Sequence, residues 1–213
     1  MNTIWNSEGE SMNSVLSESR ISLADRSMPL ARPAALILAG TLLAAVCAHV
    51  AIPLVFTPVP LTLAPFAVLL LGLVLSPRMA AGTFAAYLAE GALGLPVFAP
   101  SGTAPAGLAH LLGPTGGYLM AYPLAAALIS WMWRRTGRGF GAALLSAAAG
   151  DLAILACGAL WLAAFVRFTA HPVADLAILP FLPGDALKVA AAAGLACGWV
   201  RLLRASKESH PNY

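Results

Sequence analysis

Residues 184–200, GDALKVAAAAGLACGWV, decide the fold class of this chain, because a charged pair stands at the head of an otherwise uncharged apolar run. Asp185 and Lys188 are expensive inside a membrane helix, where ionisable side chains usually face a cavity and contact a ligand, an ion or each other. At a spacing of three they share one face of a helix. This segment, with residues 180–183 in front of it, is therefore the first place to look for a functional site.

The whole chain has the composition of an integral membrane protein. Its 213 residues are 60% hydrophobic and 10% charged, whereas a soluble domain carries about a quarter charged residues. A membrane span needs roughly 20 apolar residues, so the sequence predicts an all-α membrane protein with six transmembrane helices. The predicted spans are residues 34–52, 61–75, 79–95, 116–133, 139–166 and 184–200.

Composition also divides the chain into three parts. Residues 1–32 are polar and rich in serine, which predicts a disordered cytosolic tail, with Met28 as an alternative start. Residues 33–204 form the predicted six-helix membrane domain. Residues 205–213 form a second cytosolic tail.

Basic residues set the predicted orientation, because they accumulate on the cytosolic side of membrane proteins. With both termini in the cytosol, the external side carries Arg167 alone, and Lys188 lies in the last span near its outer end. The cytosolic side then carries ten of the twelve basic residues: Arg20, Arg26, Arg32, Arg78, Arg134, Arg135, Arg138, Arg201, Arg204 and Lys207. This orientation puts three long loops outside, at residues 53–60, 96–115 and 167–183.

A pocket open to the outside and covered by these loops is the predicted site. In it, Lys188 binds a ligand carboxylate and Asp185 accepts hydrogen bonds from ligand N–H groups. The alternative is a plain ion pair within the helix, in which the two side chains serve only each other.

Further candidates lie at the outer ends of neighbouring helices. Gly116 and Gly117 at a helix start let a ligand approach closely and offer free N–H groups, and Tyr118 adds an aromatic wall. Glu90 within a span must find a donor or be protonated. It is either a second acceptor for the ligand or a structural partner of a tyrosine or the backbone.

Several function classes find no support in the sequence. The three cysteines lie in apolar runs without metal-ligand spacing, and the histidines are isolated. The glycine-rich segment at 113–118 lacks the Lys-Ser/Thr ending of a P-loop. A net charge of +3 that follows the topology does not indicate nucleic-acid binding. The sequence thus predicts no catalytic residue, metal or cofactor, and no ATP hydrolysis by this chain.

Four segments, in order, resemble the BioY family, the biotin-binding S components of energy-coupling factor transporters. They are Pro58-Val59-Pro60-Leu61-Thr62-Leu63, Gly94-Leu95-Pro96-Val97-Phe98, Gly113-Pro114-Thr115-Gly116-Gly117-Tyr118 and Leu182-Pro183-Gly184-Asp185-Ala186-Leu187-Lys188. The resemblance implies a six-helix S-component fold in the lipid bilayer of the cytoplasmic membrane. It also implies biotin as ligand and, as partners, a transmembrane coupling subunit and two ATPase subunits.

The resemblance also implies roles for single residues. Asp185 and Lys188 match the Asp and Lys of the family's last helix, which contact the ligand. The family's third-helix loop contributes a polar contact, often an Asn, but this chain has none there. Ser101, Thr103 and Glu90 are the available substitutes.

Two rival interpretations stay open. Another carboxylated vitamin fits the same arrangement of residues. The pairs Gly150-Asp151 and Gly184-Asp185 resemble those of an intramembrane aspartyl protease, whose two carboxyl groups share a proton. Asp151, about twelve residues and roughly 18 Å into its helix, is expected to lie deeper than the pocket as a structural residue, too far from Asp185 for that chemistry.

Small residues recur every four positions in the first span, which lets helices pack closely. The pairs are Ala35/Ala39, Gly40/Ala44 and Ala44/Ala48. They serve either internal packing or docking to a partner membrane subunit.

Overall fold

The structure, a computed structural model, describes residues 31–100, 106–165 and 173–208. Over these ranges the chain is mostly helical, with one two-stranded sheet. In chain order the elements are α1 (Ala31–His49), β1 (Ala51–Ile52), β2 (Leu61–Thr62), α2 (Ala64–Val74), α3 (Pro77–Ala92), α4 (Leu108–Leu111), α5 (Gly116–Arg135), α6 (Phe140–Phe165), α7 (Val173–Ala177) and α8 (Leu182–Glu208). The packing described below lies within one compact unit, Ala39–Tyr213.

Each of the six predicted spans overlaps one helix, namely α1, α2, α3, α5, α6 and α8. Residues 51–52 of the first predicted span and residues 61–62 of the second form β1 and β2 instead, so these two span ends are wrong. Among the described residues, three helical segments are long and apolar enough to cross a membrane: Ala31–His49, Phe140–Ala164 and Leu182–Leu203. Helix α2 has only 11 residues and α3 only 16. The helical class of the prediction is confirmed, and the number of membrane crossings stays a prediction.

Helix α3 ends in a Schellman motif, which brings the following chain back towards the core. Gly94 has a φ of 93°, the N–H of Leu95 donates to the Glu90 carbonyl at 3.1 Å, and the N–H of Gly94 donates to the Gly91 carbonyl at 3.0 Å. This pattern satisfies the last carbonyls of the helix. It ends α3 at Ala92, three residues before the predicted end at residue 95.

Residues 51–62 form a hairpin, and the three prolines between its strands are incompatible with a regular helix there. Ala51 pairs with Thr62 and Ile52 with Leu61 in an antiparallel register. The hydroxyl of Thr57 donates to the Leu176 carbonyl at 2.9 Å. The tip of the hairpin is thereby attached to α7.

Two of the predicted external loops contain short helices that the sequence analysis did not predict. Helix α4 lies between residues 96 and 115, and α7 between residues 167 and 183. Helix α8 also starts two residues before the predicted Gly184, because Pro183 is accepted in a first helical turn. It continues to Glu208, past the expected domain boundary at residue 204.

The interior divides into two apolar clusters, and helix α5 contributes to both. One cluster is aromatic and includes Phe84, Tyr87 and Tyr122. The other is aliphatic, with Leu69 and Ile129 against the alanines of α8. The tyrosine hydroxyls and ionisable side chains described next lie at the aromatic cluster, which makes it the place to look for a site.

Candidate ligand-binding site

A cavity lies beside the aromatic cluster, below the hairpin. The volume that the centre of a water-sized molecule can occupy in this cavity is about 60 Å³. One water needs roughly 10–15 Å³ by the same measure, so the cavity has room for several. Residues of α1, α2, α3, α4, α5, α6 and α8 line it, together with Val59, Pro60 and Thr62 of the hairpin. A cavity lined in part by the residue 53–60 loop is therefore present in the structure, and its opening to the external side stays a prediction.

Asp185 and Lys188 lie in the wall of this cavity, as the sequence predicts. The Lys188 Nζ donates to Asp185 Oδ1 at 2.8 Å, and both side chains are more than nine-tenths buried. Asp185 occupies the first turn of α8, where the helix dipole favours a negative charge. Both the ion pair and the cavity position are present, and the contact of the pair with a ligand stays a prediction.

The pair keeps hydrogen-bonding capacity for a ligand. An ammonium has three N–H donors and a carboxylate about four acceptor positions, and the contact between Lys188 and Asp185 uses one of each. The pair thus offers donors and acceptors next to each other on one rigid helix turn.

Asp151 also lines the cavity, and the prediction that it lies deeper than the pocket is wrong. Its carboxyl group is buried, with 6% of the residue exposed. Among the α6 residues in the cavity wall, Leu155 and Ile154 lie nearer the predicted external end of the helix and Asp151 nearer its cytosolic start, so the cavity extends further inward along α6 than a residue count suggested. Distance therefore does not exclude a carboxylate dyad, but the ion pair of Asp185 with Lys188 does not fit a proton shared by two carboxyl groups.

Tyrosines form much of the remaining wall, and two of them hold loop backbone in place. The Tyr118 hydroxyl donates to the Ala177 carbonyl at 2.8 Å, and the Tyr87 hydroxyl to the Val97 carbonyl at 2.8 Å. Tyr118 lies where the sequence predicted an aromatic wall. Tyr122, which the sequence analysis did not single out, stacks on Tyr87 and lies in the cavity wall.

Gly116 and Gly117 lie against other protein atoms, whereas the sequence predicted that a ligand would approach them. A Cβ on Gly116 would overlap the Leu111 carbonyl, and one on Gly117 would overlap Trp161. Trp161 in turn donates its indole N–H to the Gly113 carbonyl at 2.9 Å. The two glycines let α5 approach α6 and the end of α4, and neither is among the described residues that line the cavity.

The remaining two candidates do not join this site. Glu90 lies near the C-terminal end of α3, is partly exposed, and is not among the described residues around the cavity. Ser101 lies outside the described residues. Their predicted roles as ligand contacts stay predictions.

His110 is a cavity residue that the sequence analysis treated as isolated. It lies in α4, 5% exposed, with its ring stacked on Phe98 at 5.2 Å between ring centroids. Burial lowers the pKa of its imidazole below the usual 6.5, so the ring is neutral at neutral pH. Across the described ranges, no three His, Cys, Asp or Glu side chains lie close enough together to hold a metal ion.

Known proteins similar to this chain all point to one family. The family model described as "BioY family" matches residues 15–205. "Probable biotin transporter BioY" of Pyrococcus horikoshii is 44% identical over 136 residues, which are 63% of this chain and 76% of that protein. "Biotin transporter BioY" of Thermotoga maritima is 37% identical over 156 residues, which are 73% of this chain and 88% of that protein.

A solved structure shares the fold. It is the S-component for biotin from an ECF-type ABC transporter, with a TM-score of 0.72 and 24% sequence identity. The match covers 81% of this chain and 93% of the solved one. The helical arrangement is therefore one that an S-component adopts.

Proposed function

The chain belongs to the BioY family, and from that premise we propose that it is the biotin-capturing subunit of an energy-coupling factor transporter. It is a transport protein rather than an enzyme. The observation that carries the proposal is the cavity beneath the hairpin, which brings the buried Asp185–Lys188 pair and the tyrosine wall together. Biotin has an apolar bicyclic body and a ureido group, and the two parts match these two features.

The ureido group is the part of biotin that fits the ion pair best. It presents one carbonyl acceptor between two N–H donors. Lys188 donates to that carbonyl, and Asp185 accepts from one N–H group. A neutral ureido group makes these contacts without adding charge to a buried site.

This arrangement favours a different role for Lys188 from the one suggested by sequence, where it held the ligand carboxylate. Its ammonium already faces the Asp185 carboxylate at 2.8 Å, and Asp151 lies in the same cavity. A third carboxylate would leave one ammonium among three buried negative charges, and uncompensated buried charge is costly. The valerate chain of biotin therefore extends away from the pair.

The membrane arrangement belongs to the same proposal. Six helices cross the cytoplasmic membrane with both termini in the cytosol, which is supported by the distribution of basic residues and the positive-inside rule. The hairpin, α4 and α7 then lie on the external side and cover the cavity. Residues 1–32 and 205–213 lie in the cytosol.

Concentrative uptake needs partners in this proposal. The sequence contains no nucleotide-binding motif, so the energy comes from an ATP-driven module. That module consists of a transmembrane coupling subunit and two ATPase subunits.

Equilibrium binding of radiolabelled biotin to the purified full chain in lipid nanodiscs tests the proposal. We expect saturable binding of one biotin per chain, with no displacement by an excess of pantothenate or lipoate. Displacement by another carboxylated vitamin at lower concentrations than unlabelled biotin would assign that vitamin as the ligand. Absence of saturable biotin binding would overturn the proposal.

A further inference from the structure

Asp151 is a buried carboxyl group that has no hydrogen-bond or ion-pair partner among the residues that the structure describes. It lies on α6, in the cavity wall formed also by Asp185 and Lys188 of α8, and 6% of the residue is exposed. Among the described residues it makes no hydrogen bond or ion pair, not even to the hydroxyl of Tyr122 in the same wall. A polar group in such surroundings is costly unless something pairs with it.

The neighbouring groups are already engaged. Lys188 lies on Asp185 at 2.8 Å, and the hydroxyls of Tyr87 and Tyr118 donate to backbone carbonyls. Asp151 lines the same cavity as this pair. Its acceptor positions therefore remain available to a molecule inside the cavity.

We propose that Asp151 is a ligand contact, which accepts the second ureido N–H of biotin while Asp185 accepts the first. This inference rests on the proposed function and adds to it a specificity residue on a different helix. Two carboxylates and one ammonium then match two N–H donors and one carbonyl. A ligand without two such N–H groups leaves one of the carboxylates unpaired.

The ligand-free protein gives the first test. Because Asp151 lacks a protein partner, Asp151→Asn should leave the thermal stability of the ligand-free full chain unchanged or raise it. The same variant should bind biotin at least about tenfold more weakly, since a charge-assisted hydrogen bond is lost. The matched control is Asp175→Asn, the same change at an exposed carboxyl group of α7, which should alter neither quantity.

Two biotin analogues, N1′-methylbiotin and N3′-methylbiotin, locate the contact, because each lacks one ureido N–H. The unaltered chain should bind both more weakly than biotin. In Asp151→Ala, which also makes room for a methyl group, the penalty for one isomer should shrink by about tenfold or more. The other isomer, whose methyl group faces Asp185, should keep its full penalty.

The outcomes separate the possible roles. A less stable or unfolded ligand-free Asp151→Asn would make Asp151 a structural residue and overturn the inference. So would full biotin affinity in that variant, or equal penalties for both isomers in Asp151→Ala, while the proposed function would stand. Failure of the unaltered chain to bind biotin would overturn the proposed function, and the inference with it.

Discussion

Lys188 is the residue whose role is easiest to test. If it donates to the ureido carbonyl, Lys188→Ala should weaken biotin binding by about 10- to 100-fold, which corresponds to the 1.5–3 kcal/mol of a hydrogen bond to a charged group. The ratio of affinities for biotin and biotinamide should not change, because the ligand carboxylate lies elsewhere. Equilibrium binding of both ligands measures this ratio.

Arg201→Ala is the control for Lys188→Ala, since it removes an exposed cation from the same helix and should change neither affinity. Loss of the preference for biotin over biotinamide in Lys188→Ala would restore the role suggested by sequence, with Lys188 on the ligand carboxylate. Recovery of full biotin affinity in the swap Asp185→Lys with Lys188→Asp would show that the two side chains only pair with each other.

Among single residues, the sequence identified those that are energetically costly in their immediate sequence surroundings. Asp185 and Lys188 stand out because two charges interrupt an apolar run at helical spacing. Asp151 and His110 were misjudged because their relation to the cavity depends on other elements. A residue count gives depth along one helix, but it does not tell how far a cavity between helices extends.

Among the elements, the long helices follow from apolar runs, while the short ones depend on tertiary contacts. Helices of four and five residues are not stable alone. Both contacts of helix α7 with distant parts of the chain lie at its C-terminal end, where Tyr118 donates to the carbonyl of Ala177 and Thr57 to that of Leu176. The sequence likewise showed that Gly116 and Gly117 allow a close approach, but not that Trp161 is the group that approaches.

The packing of α5 on α6 gives a prediction at the scale of elements. A Cβ on Gly158 would overlap the ring of Tyr118, which lines the cavity and holds α7. Gly158→Ala should therefore destabilise the protein by about 1–3 kcal/mol, as other overpacked cores are, and should also weaken biotin binding. Thermal unfolding and equilibrium binding measure the two effects.

Gly141 on the same helix provides the matched control, because a Cβ there meets no atom within 4 Å. Gly141→Ala should be neutral or slightly stabilising, since Gly141 lies in the first turn of α6 and alanine has a higher helix propensity than glycine. If Gly158→Ala keeps wild-type stability and affinity, the contact between the two helices is looser than described.

At the scale of the whole molecule, the proposed six-span topology requires even the short helix α2 to cross the membrane. Helix α2 has 11 residues and measures about 16 Å, roughly half of a hydrocarbon core. The six-span arrangement is tested by single cysteines in a background that lacks Cys47, Cys157 and Cys197. In intact cells an impermeant maleimide should label Ala174→Cys, while Thr136→Cys should react only after permeabilisation. Labelling of Thr136→Cys in intact cells would contradict the topology.

Helix α1 carries two sets of small residues, which differ in exposure. Ala44 and Ala48 are each 1% exposed and belong to the aromatic core cluster, so internal packing explains them. Ala35 and Ala39 are exposed, and small exposed residues at a spacing of four suit close packing against another membrane helix. Docking of the coupling subunit is therefore expected at Ala39 and not at Ala44.

Substitutions at these two positions should have different consequences. Ala39→Trp should abolish biotin uptake in cells that co-express the energising module, because it blocks helix contact, while biotin binding to the purified chain stays unchanged. Ala44→Leu should reduce both uptake and binding, because overpacking a core costs about 1–3 kcal/mol and Ala48, its neighbour in the cluster, lines the cavity. If Ala39→Trp lowers binding as much as uptake, the exposed face serves the chain's own fold, and the coupling subunit docks on another surface.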